Sequence, residues 1–195
     1  MRITSVIGLA SLAVLLAAPL ALADNDPAKL ADSDIQLLAH FHAMNQTEID
    51  LGQIAQKQAH SRAVKDYAKQ IVDDHKANDR ELIAFARKHS VKIPKPSGDA
   101  DAKDVRDLAV RLKSMKGADF DREYLLVMVA DHDGAVASAD AEVQKAMSHD
   151  LAQMIRDMKP VLQRHADMAR DIQKTIAQPS APAGTAPIAP PSTAP

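Results

Sequence analysis

The sequence predicts an all-α protein, a bundle of four long helices with a short extra helix in the crossover between helices two and three. Apolar residues recur at three- and four-residue steps through five segments, four of them long. Two joints between long segments are tight turns, whereas a proline-rich breaker and a short amphipathic stretch separate helices two and three. The 195 residues include no cysteine, so disulfides, thiol catalysis and zinc–thiolate sites are excluded together and stability must come from packing.

The first long helix is expected over about 33–59. Ser33 and Gln36 form a capping-box pattern, and Asp32 and Asp34 suit the positive helix start. Leu38, Phe41, Asn45, Glu48, Leu51, Gly52 and Ala55 share one face. The second helix follows the break at His60-Ser61, with Ser61 as N-cap, and reaches about His89. Its stripe is Val64, Ala68, Ile71, His75, Leu82 and Phe85. Pro94 and Pro96 then stop the helix sterically. The short segment, about 102–114, is stitched in through Val105, Leu108 and Leu112, and Gly117 ends it. The third long helix spans about 120–146, with Leu125, Met128, His132, Ala135, Ala139 and Val143 on one stripe. After the turn at Met147-Ser148-His149, with Ser148 as cap, the fourth spans about 150–177. There Leu151, Ile155, Met158, Leu162, His165, Met168 and Ile172 face inward, and Pro160 is expected to bend the helix.

The ends have other characters. Residues 1–23 read as a signal peptide: Met1-Arg2, an uncharged apolar run from Ile3, and the small-residue ending Ala21-Leu22-Ala23 before Asp24. The alternative is an uncleaved anchor, since the run is nearly long enough to span a bilayer. After cleavage no transmembrane span remains. Residues 24–32 form a lead-in, 33–177 the helical domain, and 178–195 a disordered Pro/Ala-rich tail that lacks the apolar surface needed to offset its ordering entropy. Charge is balanced, 24 Lys and Arg against 26 Asp and Glu, and aromatics are few, so nothing marks a nucleic-acid surface.

Each long apolar stripe carries one titratable residue: Glu48, His75, His132 and His165. Glu48 and His75 lie roughly 20 Å from the first tight turn, and His132 and His165 roughly 25 Å from the second, at the helical rise per residue. Each antiparallel pair is therefore level, and all four fall near the middle of the bundle. Three imidazoles and a carboxylate suit a single transition-metal ion, Zn, Fe, Cu or Mn. Alternatively, the four groups satisfy one another as a metal-free polar layer. Tyr67 through His75 and Tyr124 through His132 both fit Tyr-x3-[Ile/Met]-Val-x-Asp-His, an internal echo that places Asp74 and Asp131 beside their histidines. About 100° around the helix from their histidines, these two acids are poorly placed as ligands; they are expected either to orient a neighbouring helix or the groups around a site, or to face solvent. Met44, Met128, Met154, Met158 and Met168 add soft donors that would suit copper, or simply fill the core. His40, His42, His60, His89 and His149 read as surface or helix-end residues.

Four stretches carry a family resemblance: Glu48 to Ala55, Val64 to His75, Phe120 to His132, and Pro160 to His165. In these the chain resembles the exported, ferritin-like four-helix proteins of a bacterial domain family of unknown function, often labelled outer-membrane proteins. The resemblance implies a ferritin-like fold and a periplasmic or otherwise exported setting, free or associated with the outer membrane. It implies no established activity. Di-iron ferritin-like centres use Glu-x-x-His on two helices; that motif is absent here, so a two-iron ferroxidase does not fit.

The leading expectation is thus an exported bundle that binds one metal ion at a Glu/His3 layer, in envelope stress or metal handling. The alternative is a metal-free structural or interaction module for an unidentified protein or envelope partner. An enzyme ranks third, since there is no nucleophile motif, phosphate loop or second acid–base pair.

Overall fold

The structure, a computed structural model, describes residues 29–94 and 99–177. The expected signal peptide, residues 24–28 of the lead-in, the tail and residues 95–98 of the breaker lie outside them. Every regular element among the described residues is helical: α1 (Asp32–Gln58), α2 (Arg62–Lys88), α3 (Asp99–Ser114), α4 (Gly117–Lys145) and α5 (His149–Ala177). No helix among them is long and apolar enough to cross a membrane.

Short connections fold α1 against α2 and α4 against α5, and the two hairpins pack together. All seven expected stripe residues of α1 and all six of α2 are buried. The stripes of α4 and α5 are less complete: Ala135, Val143, Met158, Leu162, Met168 and Ile172 are only half-buried. Gly52 allows the close approach of α1 to α2, because a Cβ there would lie 2.6 Å from Val72 Cγ2 and 3.2 Å from the Ala68 carbonyl oxygen. Helix α5 runs unbroken through Pro160.

Helix ends depart from expectation in an informative way. Helix α1 starts at Asp32 with Ala31 in the cap position and no side-chain cap, so the Ser33–Gln36 capping box does not form. Asp34 instead turns inward, 1% exposed, and accepts the backbone N–H groups of Met147 (2.8 Å) and Ser148 (3.1 Å) in the far hairpin's turn. The converse occurs at the other end. Ser61 occupies the cap position of α2 without a side-chain cap bond. The N–H groups of His60 (2.9 Å) and Ser61 (2.7 Å) go to the buried Asp121 carboxylate of α4. Each hairpin turn is thus clamped by an acid from the opposite hairpin, which satisfies donors that a turn would otherwise leave to water. Ser148 alone caps as expected, its Oγ accepting from the Leu151 N–H at 3.3 Å. Gly117, expected to end α3, is instead the first residue of α4, where φ of 61° at the α3–α4 corner favours glycine.

The interior is two apolar clusters separated by a polar layer. One gathers Leu51, Tyr67, Ile71, Leu112, Tyr124 and Leu125; the other gathers Leu38, Phe41, Leu82, Phe85, Leu151 and Ile155. Between them, in sequence and along the helices, stand Asn45 and Glu48 of α1, His75 of α2, His132 of α4 and His165 of α5, all buried. Leu112 docks α3 onto the first cluster and so covers one end of the layer's support.

Candidate metal centre

Three of the four expected residues come together. His75, His132 and His165 each offer one ring nitrogen to a group in which all three lie within 4.8 Å of one another. The rings are 5.7, 5.6 and 5.1 Å apart between centroids. Glu48 is buried in the same layer, 6% exposed, yet its carboxylate is not a member of this group.

The partners of the outward nitrogens decide which lone pairs face inward. His132 Nδ1 lies 2.8 Å from the Met128 carbonyl oxygen, which can only accept, so Nδ1 carries the proton and Nε2 is bare. His75 Nδ1 lies 2.9 Å from Asn45 Oδ1, while Asn45 Nδ2 donates to Asn78 Oδ1 at 2.7 Å. That assignment makes His75 Nδ1 the donor, and leaves its buried Nε2 without a partner. His165 Nε2 lies 2.9 Å from Asp74 Oδ2, a carboxylate that accepts from it. His165 Nδ1 then presents its lone pair to His132 Nε2 at 3.2 Å.

Two facing lone pairs at that distance repel unless something positive sits between them. Two imidazole nitrogens bound at about 2.05 Å to one tetrahedral ion would be about 3.3 Å apart. The His132–His165 spacing matches that edge, and the His75 donor lies within 4.8 Å of both. Each histidine thus donates its one N–H to an amide oxygen, a carbonyl or a carboxylate, the arrangement that fixes the tautomer and ring orientation of metal-binding histidines.

Electrostatics keep these rings neutral. Burial, followed by the neighbouring histidines, pushes His75 down to about 3. Burial and His165 push His132 down to about 4, against the pull of the Met128 carbonyl. His165 is lowered by burial despite its bond to Asp74. Glu48 moves the other way, up to about 8, through burial and then the Asp131 charge, so the protonated carboxyl is the favoured form at neutral pH. Tyr67 and Tyr124 are raised by burial and then by Glu48. Glu48 Oε2 and the Tyr124 hydroxyl are buried without a hydrogen-bond partner among the described residues. Tyr67 donates to the His165 carbonyl at 3.2 Å.

The two acids of the internal echo diverge. Asp74 reaches His165, whereas Asp131 is exposed and its charge helps to hold the Glu48 carboxyl protonated. His42, expected at the surface, is half-buried and bonded to Asp79 at 2.5 Å, with Gln46 donating to the other oxygen at 2.8 Å. Sequence reasoning did not assign Asn45 as the partner of His75. Its signal was a polar residue inside an apolar stripe, one turn before Glu48.

The chain matches the model of a domain of unknown function, DUF4142, over residues 19–172, and it belongs to that family. No curated protein matches it. Among solved structures it is similar to a DUF305 fragment from Deinococcus radiodurans, with TM-score 0.68 and 15% identity over 75% of this chain and 99% of that one. It is also similar to a putative secreted DUF305 protein from Streptomyces coelicolor, with TM-score 0.62 and 16% identity over 73% and 93%. A third is CopM in its Cu(I)-bound form, with TM-score 0.59 and 18% identity over 74% and 98%. At these identities the likeness is one of fold.

Proposed function

We propose that this family member is an exported, ferritin-like four-helix protein that binds one transition-metal ion through His75, His132 and His165. The observation that carries the proposal is the convergence of three buried histidine rings, each offering a nitrogen within 4.8 Å of the others while its second nitrogen is hydrogen-bonded to Asn45, the Met128 carbonyl or Asp74. Glu48 is the candidate fourth ligand, a buried carboxyl with one oxygen unpartnered in the same layer. Three imidazoles suit zinc and copper, and iron less well. A single carboxylate makes manganese the poorest fit of the four. The Cu(I)-bound CopM of similar fold brings copper forward. Metal handling or stress protection in the periplasm or outer envelope is the role that fits an exported single-ion site without catalytic groups.

A second reading has its own support. A proton on His165 would let it donate to both His132 Nε2 and Asp74, giving a metal-free, hydrogen-bonded layer in a structural or interaction module. It leaves His75 Nε2 buried and unpaired, at a cost of about 1–3 kcal/mol, which is why the metal reading is preferred.

The test is metal analysis of the protein purified from the periplasm, followed by melting with and without a chelator. The expected result is about one equivalent of metal, with a chelator lowering Tm by roughly 5–10 °C. That range corresponds to binding at about a hundredfold excess over Kd in a domain of this size. Absence of metal, together with no Tm shift on adding Zn(II), Cu(I), Fe(II) or Mn(II), refutes it.

A further inference from the structure

A cavity of about 290 Å³ opens to solvent between α1, α2 and α5, and the buried His75 and its neighbour Asp74 form part of its wall. Three methionines also line it: Met44 from α1, and Met154 and Met158 from α5. Met154 and Met158 are four residues apart and so stand one above the other on the same helix face. Methionine usually fills core gaps, and Met128, fully buried, does so here. Met44, Met154 and Met158 differ: each is only half-buried, and each borders the open cavity.

Thioethers are neutral, soft donors that select Cu(I) and compete poorly with water for Zn(II), Mn(II) or Fe(II). Glu81 and Asp157, both exposed, line the same cavity and raise the local concentration of cations, with Arg164 as an opposing charge. Beyond the cavity's His75 wall lie the other two histidines of the converging group.

We propose that this cavity is a thioether capture site for Cu(I), formed by Met44, Met154 and Met158, that passes the ion to the histidine group through His75. The capture step stands without the histidine reading, and only the transfer rests on it. Transfer is ligand exchange: a Cu–S bond breaks as a Cu–N bond forms at the His75 Nε2 lone pair. Copper stays Cu(I), and no proton is released, because thioether and imidazole are both neutral.

The experiment uses the full chain and Ag(I), a redox-inert stand-in for Cu(I), titrated against a competing chelator. The variant is Met44→Leu/Met154→Leu/Met158→Leu, which keeps the cavity apolar and near its native volume, with circular dichroism melting as a check on folding. Native protein is expected to take about two equivalents of Ag(I) and the variant about one, while Co(II), a probe for the nitrogen ligands, binds both alike. The same loss of about one equivalent is expected when the methionine changes are made in a His132→Ala chain. Unchanged Ag(I) stoichiometry and affinity in the methionine variant overturns the proposal. If neither protein binds Co(II) but the methionine changes still remove an Ag(I) equivalent, the histidine centre fails and the thioether site stands.

Discussion

Asp74 offers the sharpest test of the metal centre, because it touches a candidate ligand without being one. Its Oδ2 accepts from His165 Nε2 at 2.9 Å, which turns the His165 Nδ1 lone pair toward His132. It is also the carboxylate that offsets positive charge arriving at three neutral rings. Asp74→Asn keeps an acceptor for the N–H and removes the charge, whereas Asp74→Leu removes both. Outer partners of metal-bound histidines typically contribute 10- to 100-fold in affinity, or about 1.4–2.7 kcal/mol. The Asn variant is expected near the lower figure and the Leu variant near the upper. The Asp74 side chain is 35% exposed but its partner His165 is 1% exposed, so the Leu variant leaves the buried His165 N–H unpaired and should cost the metal-free protein about 1–3 kcal/mol, and the Asn variant less. Competition titration with Co(II) or Cu(I) measures the affinity, and melting of the metal-free forms measures stability. If the Leu variant binds within twofold of native, Asp74 does not orient a ligand and the assignment of lone pairs is wrong.

Three further outcomes follow from the packing and the titrating groups. In the metal-free protein, His75 and His132 have depressed folded-state values of about 3 and 4, so their stabilisation is complete above the unfolded value near 6.5 and is lost as pH falls below it. Glu48, raised to about 8, acts oppositely: its contribution is full below about 4.5 and is lost as pH rises through 8. Two histidines outweigh one carboxyl, so stability should peak near pH 6.5 and fall by on the order of 2 kcal/mol by pH 5, with a gentler decline from 6.5 to 8. Glu48→Gln should abolish the alkaline decline in urea titrations, and its persistence would show that Glu48 is not the titrating group. Asp34→Ala and Asp121→Ala each remove a charged acceptor from two backbone donors at a hairpin turn and should each cost about 1.5–3 kcal/mol by chemical denaturation, a loss under about 0.5 kcal/mol being contrary evidence. Gly52→Ala drives a methyl against Val72 and the Ala68 carbonyl and should destabilise by about 1–3 kcal/mol, read as a lowered denaturation midpoint.

Much of the candidate site was legible from spacing alone. Counting residues from each tight turn put His75, His132 and His165 level, because the helical rise converts sequence distance into depth, and the three rings do meet. The same count put Glu48 at that depth, and it is buried there. What the count could not supply is rotation about the helix axis and side-chain direction, and these keep the Glu48 carboxyl out of the histidine group. Asp74 shows the converse. One residue from His75 and about 100° around the helix, it lies off the apolar stripe, yet the neighbouring α5 brings His165 to it.

By itself, the sequence determined the helices, their order, the apolar stripe of each, and the depth of Glu48 and the three histidines on those stripes, because periodicity and rise are local properties of the chain. Only the tertiary structure decided that Asp34 and Asp121 serve the opposite hairpin's turn rather than their own helix starts, and that Asn45, the Met128 carbonyl and Asp74 occupy the outer nitrogens of the three histidines. Most of these are contacts between residues 30 to more than 100 positions apart. A hydrogen bond of that kind exists only when two helices have a set separation and rotation, which no stretch of either helix encodes alone.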